Sequence, residues 1–271
     1  MRTGKIEVSK ISFVRPTRTI PISVTGRKCA LNCLHCAGNY LEGKPDVHEL
    51  DGLPDASSYL ITGGCDAEGK VPILQHLDDL SSLPKESTKI GHTGLVDENE
   101  VEQLSELIDM VSFDFVVDDG TIRDIYGLDK SASDFIKSYS WLSRRIPTFP
   151  HLTIGLNRGR LAGELEALDL LSGFGTRSVV LNVFIPTEGT QLGDVPPPSL
   201  RDVRKVIELA RDSFDEVYLG CMRPGGRYRK ELDIMALDEG IDRIVNPSKP
   251  SRDLAVKKGL EIEWREECCI L

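Results

Sequence analysis

Short apolar runs alternate along the chain with longer segments in which apolar residues recur every three or four positions. The longer segments have the spacing of amphipathic helices and predict them at residues 98–109, 163–172, 199–212 and 227–239. Ser199 follows a run of prolines and is the expected N-cap of the third helix. The short runs are rich in β-branched residues and predict eight strands, at residues 20–25, 58–62, 89–93, 111–116, 152–156, 178–184, 216–219 and 243–245.

Strands that alternate with helices are typical of a parallel sheet covered by helices. Eight such units in a chain of 271 residues predict an α/β fold of the (β/α)8 TIM-barrel type, with an open doubly wound sheet as the alternative. The first unit has little helical pattern in residues 37–55, so we expect the barrel to be incomplete or distorted there. The predicted division is an N-terminal extension (1–17), a barrel (18–260) and a C-terminal tail (261–271) that folds over the active face.

The charge and the cysteine content narrow the class of protein. A net charge of -10 argues against nucleic acid or an anionic membrane as the partner. The chain has no apolar stretch of membrane-spanning length, and it begins without an apolar signal core, so a cytoplasmic location is expected. Seven cysteines are an odd number, and cytosolic thiols are kept reduced, so metal binding or chemistry is a better account than disulfides.

The cysteines follow predicted strands. Cys29, Cys33 and Cys36 come after the first strand, Cys65 after the second and Cys221 after the seventh. Chemistry in such barrels lies at the carboxyl ends of the strands. Five of the seven thiols are therefore expected on the active face.

Three thiols in the spacing C-x3-C-x2-C indicate a particular metal centre. Structural zinc sites use four ligands, commonly as paired C-x2-C units, and the chain has no second such unit. A [4Fe–4S] cluster held by three cysteines keeps one iron open for another ligand. Cys29, Cys33 and Cys36 are the expected ligands of such a cluster, and the alternatives are zinc or incidental loop cysteines.

The other four cysteines have two interpretations. Cysteine is often a small buried residue, and this would account for Cys65 and Cys221. Cys268 and Cys269 would then be exposed residues without a function. The alternative is a second iron–sulfur cluster held by these four. Adjacent side chains of an extended segment diverge, so one of Cys268 and Cys269 would then be a spare or a catalytic thiol.

The cysteine spacing, together with Gly63 and Gly64 in ITGGC, resembles the radical S-adenosylmethionine (SAM) superfamily. The resemblance implies that the open iron chelates SAM, that electron transfer yields a 5′-deoxyadenosyl radical, and that the two glycines bind the methionine amino group. It implies that His35 contacts the adenine. It also implies ribose and adenine contacts from segments after the fifth strand and around the sixth, where the candidates are Gly155, Asn157, Asn182 and Thr187.

Asp114 is a further candidate for cofactor binding. It is expected to point from the fourth strand into a polar barrel interior. A buried polar residue that simply satisfies its neighbours is the alternative there, and for Asn182 as well.

Four segments, TGRKCALNCLHC, GGCDAEGKVPI, IPTEGTQLGD and LGCMRPGG, are similar to the biotin-synthase-like branch, and within it to two-protein lipoyl synthases. This resemblance runs from about residue 18 to the end. It implies sulfur insertion into an octanoyl chain on a lysine of a carrier protein, with sulfur from the second cluster. A partner sulfur-insertion protein and an electron donor such as a ferredoxin are implied as well.

Other functions remain open from the sequence. Biotin-type ring closure, methylthiolation and dehydrogenation are alternative radical reactions, and a non-catalytic iron–sulfur protein for electron transfer or cluster delivery is an alternative class. Arg223 and Arg227 either bind a carboxylate or an acidic carrier, or begin a solvated helix.

Overall fold

The computed structural model describes residues 10–50 and 52–271 of the protein. In this part of the chain, one sheet of parallel strands has the order β10-β1-β9-β8-β7-β6-β5-β4-β3-β2. The strands are β1 Lys10–Val14, β2 Thr19–Ser23, β3 Ser58–Thr62, β4 Thr88–Gly91, β5 Met110–Asp114, β6 Thr148–Ile154, β7 Ser178–Val183, β8 Glu216–Leu219, β9 Arg243–Val245 and β10 Glu261–Arg265.

Helices connect consecutive strands from β3 onward. They are α1 Leu77–Leu80, α2 Glu98–Leu107, α3 Asp119–Thr121, α4 Ala132–Arg145, α5 Glu164–Gly173, α6 Leu200–Ser213, α7 Gly226–Asp238 and α8 Lys249–Lys257. Short 3-10 segments lie at Asn39–Leu41, Val47–Glu49 and Ile73–His76, and one π-helical turn lies at Ile122–Tyr126. None of these helices is long and apolar enough to cross a membrane.

The sheet is curled but does not close, because β2 forms one edge and β10 the other. Between β2 and β3 the chain makes 3-10 turns in place of an α-helix. The prediction of an incomplete TIM-type barrel, distorted in its first unit, is therefore confirmed. The tail folds back onto the gap between the edges: the Arg18 amide donates to the Glu266 carbonyl at 2.8 Å, and the Cys268 amide donates to Thr19 Oγ1 at 2.7 Å.

The eight predicted strands and four predicted helices are present with shifted ends. Two strands and two of the longer helices, α4 and α8, were missed. β1 and β10 are short and pair with each other at the edge of the sheet, and β10 has few apolar residues. α4 buries Phe135, Ser138, Tyr139 and Leu142 at the usual helical spacing and begins with a capping box of Ser131 and Asp134, so both signals were readable in the sequence. Residues 1–9 of the predicted extension lie outside the described residues.

The interior of the barrel is filled partly by the tail. Side chains that point inward from the strands, among them Val14, Ile90 and Val180, form a buried cluster with Cys269 and Ile270. A larger apolar core lies between the sheet and its helices. Because the tail occupies one part of the interior, the space for a ligand lies above it, towards the carboxyl ends of the strands.

Candidate functional site

The loop after β2 carries the three clustered cysteines. It turns back at Cys33, whose carbonyl accepts from the amides of Cys36 at 3.1 Å and Ala37 at 2.8 Å. Asn32 and Ala37 both adopt the left-handed region, with φ of 46°. The turn brings Cys33 Sγ, Cys36 Sγ and a ring nitrogen of His35 within 4.8 Å of one another.

Gly64, after β3, lies directly against this loop. A Cβ on Gly64 would lie 2.0 Å from the carbonyl oxygen of Lys28 and 2.6 Å from Cα of Cys29. The Gly64 amide donates to Thr25 Oγ1 at 2.7 Å. The structure therefore gives Gly64 a packing reason of its own, which the sequence did not suggest: only glycine allows the cysteine loop to approach so closely.

Three further hydrogen bonds attach the cysteine loop to other βα loops. The Ala30 amide donates to the Cys65 carbonyl at 2.8 Å. On the far side of the loop, the Leu34 amide donates to the Ile125 carbonyl at 2.9 Å, and the Leu34 carbonyl accepts from the Leu192 amide at 3.2 Å. The loop is thus held from several directions over the carboxyl end of the sheet.

The thiols of this region influence one another. A hydrogen bond between Cys33 and Cys36 raises the pKa of Cys33 far above its usual range and lowers the pKa of Cys36 to about 4. Burial, with the charge of Cys29 second, raises the pKa of Cys65 to about 12. Cys65, predicted to belong with the distant cysteines, therefore lies next to the cysteine loop.

This donor set fits an iron–sulfur cluster. The thiols repel one another as thiolates, and binding to iron would relieve that repulsion. His35 Nδ1 is buried and makes no hydrogen bond within the described chain. An unsatisfied buried nitrogen next to the thiols is consistent with a polar cofactor at this loop.

A polar pair, His92 and Asp114, lies in the barrel interior. His92 Nε2 is 3.1 Å from Asp114 Oδ2, and His92 Nδ1 is 3.3 Å from Thr62 Oγ1. Desolvation lowers the pKa of His92, but the Asp114 carboxylate more than offsets it, so that the pKa is raised. The Asp114 side chain is 42% exposed, so the pair is reached by solvent. Asp114 is thus a partner of His92, and its predicted role in cofactor binding stays a prediction.

The second group of thiols is the contacting pair Cys268 and Cys269 together with Cys221, which is exposed and lies near enough for the charge of Cys268 to influence its pKa. The Sγ atoms of Cys268 and Cys269 are 4.0 Å apart, and their hydrogen bond lowers the pKa of Cys268 to about 7 while raising that of Cys269. Desolvation, followed by the charge of Cys268, raises the pKa of Cys221. Cys269 Sγ also lies 4.0 Å from Nε2 of His151.

Two arginines hold the surroundings of the second group. The guanidinium of Arg243 donates to the main-chain oxygens of Cys269 and Leu271 and stacks over Tyr218, with 4.2 Å between Cζ and the ring centroid. Arg223 is 1% exposed, and its Nε donates to Asp233 Oδ1 at 2.8 Å. Neither expectation for Arg223 was right, since it is a buried structural ion pair and not a substrate ligand or a solvated residue.

Arg227 is an ordinary surface residue. Its side chain is 90% exposed and pairs with Glu231 one helical turn away at 2.6 Å. This agrees with the solvated helix start that the sequence suggested.

The predicted nucleoside contacts fall in different places. Asn182 points into the interior from β7 and is buried, and its Oδ1 has no partner within the described residues. Thr187 Oγ1 is 2.9 Å from the hydroxyl of Tyr40, in the segment after the cysteine loop. Gly155 has φ of 75°, and its amide donates to Glu164. Asn157 lines a small cavity on the helix-facing side of the sheet. Of these four residues, Asn182 faces the barrel interior and Thr187 contacts the segment after the cysteine loop.

The sequence did not point to three residues that lie near the cysteines, Tyr40, Lys44 and Tyr126. The ring of Tyr126 lies 5.5 Å from that of His35, and Cys33 Sγ lies 3.8 Å from the Tyr126 carbonyl oxygen. Lys44 Nζ donates to the Tyr40 carbonyl, and burial, opposed by the charge of Cys221, lowers the pKa of Lys44. No motif marks these residues, because their proximity to the thiols arises only when the chain folds.

No family model and no curated protein matches the chain. Among solved structures, methylornithine synthase (PylB) is similar with a TM-score of 0.58 and 11% sequence identity, over 94% of this chain and 84% of that one. An HMG-CoA lyase from Acenitobacter baumannii, in complex with coenzyme A and 3-methylmalate, gives a TM-score of 0.53 and 9% identity, over 94% and 86%. At such low identities these similarities establish the fold, in agreement with the incomplete barrel described above.

Proposed function

We propose that the protein is a radical SAM enzyme with two iron–sulfur clusters that inserts sulfur into a protein-bound octanoyl chain, together with a partner protein. The observation that carries the proposal is the presence of two sets of neighbouring thiols, Cys33 with Cys36 on the loop after β2 and Cys268 with Cys269 on the tail. Asp114 is close enough to raise the pKa of Cys65, and Cys268 is close enough to influence the pKa of His92. Cys65 and Cys268 are therefore both within electrostatic reach of the pair formed by His92 and Asp114.

The cysteine loop would hold the first cluster through Cys29, Cys33 and Cys36. Cys221, Cys268 and Cys269 would hold the second, with Cys65, the fourth predicted ligand, on the side of the cysteine loop. When bound, the first cluster with SAM supplies a hydrogen-abstracting 5′-deoxyadenosyl radical, and the second supplies sulfur. The chain itself positions the reactants and limits the access of water.

Residues around the cysteine loop have roles in this proposal. Gly64 allows the cysteine loop to lie directly against the turn after β3. His35 and Asn182 offer unsatisfied buried polar atoms for SAM. Thr187, on the loop after β7, is hydrogen-bonded to the hydroxyl of Tyr40 and would offer a third polar group. One of the similar structures is the enzyme methylornithine synthase, so a fold of this type can carry an active site.

One observation favours a second candidate, a radical reaction on a polar substrate. The described interior above the tail is lined by polar side chains, including Thr62, His92, Asp114 and the hydrogen-bonded pair of Ser112 and His151. An octanoyl chain is better matched by apolar walls, because burial of its methylene groups is then favourable. The choice between the two reactions rests on the substrate test below.

The test begins with iron and sulfide counts on anaerobically reconstituted protein. We expect about eight irons in the wild type and about four in both Cys29/Cys33/Cys36→Ala and Cys221/Cys268/Cys269→Ala, since each variant loses one four-iron cluster. With reductant and SAM, the wild type and the second variant should form 5′-deoxyadenosine, whereas the first variant should not.

The substrate test uses an octanoyl-lysyl peptide with the partner protein, followed by mass spectrometry for added sulfur. Sulfur addition that requires both cysteine groups would support the proposal. Formation of 5′-deoxyadenosine without any change to the peptide would favour the second candidate. Iron without 5′-deoxyadenosine would overturn the radical mechanism and leave an iron–sulfur carrier.

A further inference from the structure

Three side chains outside the barrel interior converge on the surface. His48 lies in the 3-10 segment Val47–Glu49, His76 ends the segment Ile73–His76, and Asp79 lies in α1. One ligating atom from each lies within 4.8 Å of the others. We propose that His48, His76 and Asp79 form a binding site for a divalent transition-metal ion of the zinc type, independent of the iron–sulfur chemistry.

The distances fit such an ion. His48 Nδ1 lies 3.4 Å from Asp79 Oδ1, and His76 Nδ1 lies 3.3 Å from Asp79 Oδ2. Bonds of about 2.0–2.1 Å in a tetrahedral zinc site place ligand atoms roughly 3.3 Å apart. Both imidazoles turn Nδ1 towards the carboxylate of Asp79, one to each of its oxygens, so the ligating atoms surround a common space.

The backbone segments that carry these ligands are fixed by the core. Val47, next to His48, is 1% exposed, and Ile73 and Leu80 on the other segment are 1% and 0% exposed. The His48 amide also donates to Asp46 Oδ1 at 3.0 Å. Ligands held on anchored backbone lose little conformational freedom on binding, and a site so prepared binds more tightly.

The donor types restrict the metal to a first-row divalent ion. Two imidazoles and one carboxylate suit zinc, nickel, copper and ferrous iron, and no thiol takes part, so this site is chemically unlike the two cysteine groups. The His48 side chain is 63% exposed, and this leaves a fourth position open to water. A bound ion would join the 3-10 segment Val47–Glu49 to the segment that runs from Ile73 into α1.

The experiment is calorimetric titration of the purified protein with Zn²⁺, comparing the wild type with Asp79→Asn and His48→Gln. Asp78→Asn is the matched control: it is the neighbouring exposed residue of α1 and loses the same charge. The cysteines bind zinc equally in all four proteins, so only the difference between them reports on this site.

We expect Asp79→Asn and His48→Gln to bind one zinc fewer than the wild type and Asp78→Asn. A hundredfold excess of Zn²⁺ over Kd should raise Tm by roughly 5 °C more in the proteins with the site intact. With Co²⁺, the spectrum of the lost equivalent should lack sulfur-to-metal charge transfer.

Equal zinc stoichiometry in all four proteins would overturn the proposal and leave a hydrogen-bonded surface cluster only. The same conclusion follows if Asp78→Asn weakens binding as much as Asp79→Asn, because the effect would then be one of general charge. His48 is largely exposed, so His48→Gln provides a folded test protein even if Asp79→Asn is unstable.

Discussion

The two groups of thiols are built in different ways. The first lies within eight consecutive residues, from Cys29 to Cys36, on a loop held by backbone hydrogen bonds and by the close approach of Gly64. The second joins the loop after β8 to the tail after β10, and buried arginines hold the chain around it. The first group depends on local chain geometry, whereas the second depends on long-range packing. Variants should therefore damage one group and spare the other.

The largest effect is expected for Arg223→Met. Arg223 and Asp233 are both fully buried, and Arg223 also donates to the Val245 carbonyl at 2.7 Å. Removal of one partner leaves an unpaired buried charge, so the free energy of unfolding should fall by about 3–5 kcal/mol. Urea denaturation measures this, and an iron count should show loss from the second group.

Arg227→Met is the control for this prediction. Arg227 is 90% exposed and forms a surface pair with Glu231, so its replacement should change the free energy of unfolding by about 0.5 kcal/mol at most. If the two variants are equally stable, the buried pair does not support the second group and the contrast between the groups is lost.

Gly64→Ala should come next in size, and it should affect the first group. The new Cβ would collide with the backbone of Lys28 and Cys29, which cannot move aside as a side chain can. We expect a loss of about 3 kcal/mol in the free energy of unfolding, together with loss of iron from the first group. The second group should keep its iron.

Gly63→Ala is the matched change one residue away. Its Cβ would meet side-chain atoms of Val24 at 3.0 Å and Val71 at 3.1 Å, which can shift. A cost of about 1 kcal/mol is expected, with the iron content unchanged. If both alanine variants lose iron equally, the turn as a whole matters and not the contact of Gly64 with the loop.

His151→Gln acts on the pH dependence of stability and reports on the interior beside Cys269. Desolvation lowers the pKa of His151 from 6.5 to about 4, so the folded protein disfavours the charged form. The unfolded state therefore binds a proton first as the pH falls below 6.5, and stability is lost between pH 6.5 and 4. The wild type should lose about 2 kcal/mol more than the variant between pH 7 and pH 5, as measured by urea denaturation at each pH.

His92→Gln should change the pH dependence in the opposite sense. The pKa of His92 is raised, because Asp114 outweighs desolvation, so its contribution to stability is present below pH 6.5 and is lost as the pH rises through the folded pKa. The variant should lack that loss at higher pH. Identical pH profiles for the two histidine variants would show that the interior does not distinguish the two sites.

The sequence was sufficient for features that lie close together in the chain. The alternation of apolar runs predicted eight of the strands, and the cysteine spacing predicted the group of Cys29, Cys33 and Cys36. Covalent connectivity keeps such residues near one another in any fold, so their spacing alone carries the information. The edge strand β10 escaped prediction because few of its residues are apolar.

Only the tertiary structure decided which of the remaining cysteines lie near one another. The sequence grouped Cys65 with Cys221, Cys268 and Cys269, but Cys65 lies beside the cysteine loop, and the tail enters the barrel at the gap between β2 and β10. It did not reveal the burial of Arg223 or the convergence of His48, His76 and Asp79. These contacts join segments that are distant in sequence, and they exist only because the packing of the sheet and its helices offsets the entropy of bringing those segments together.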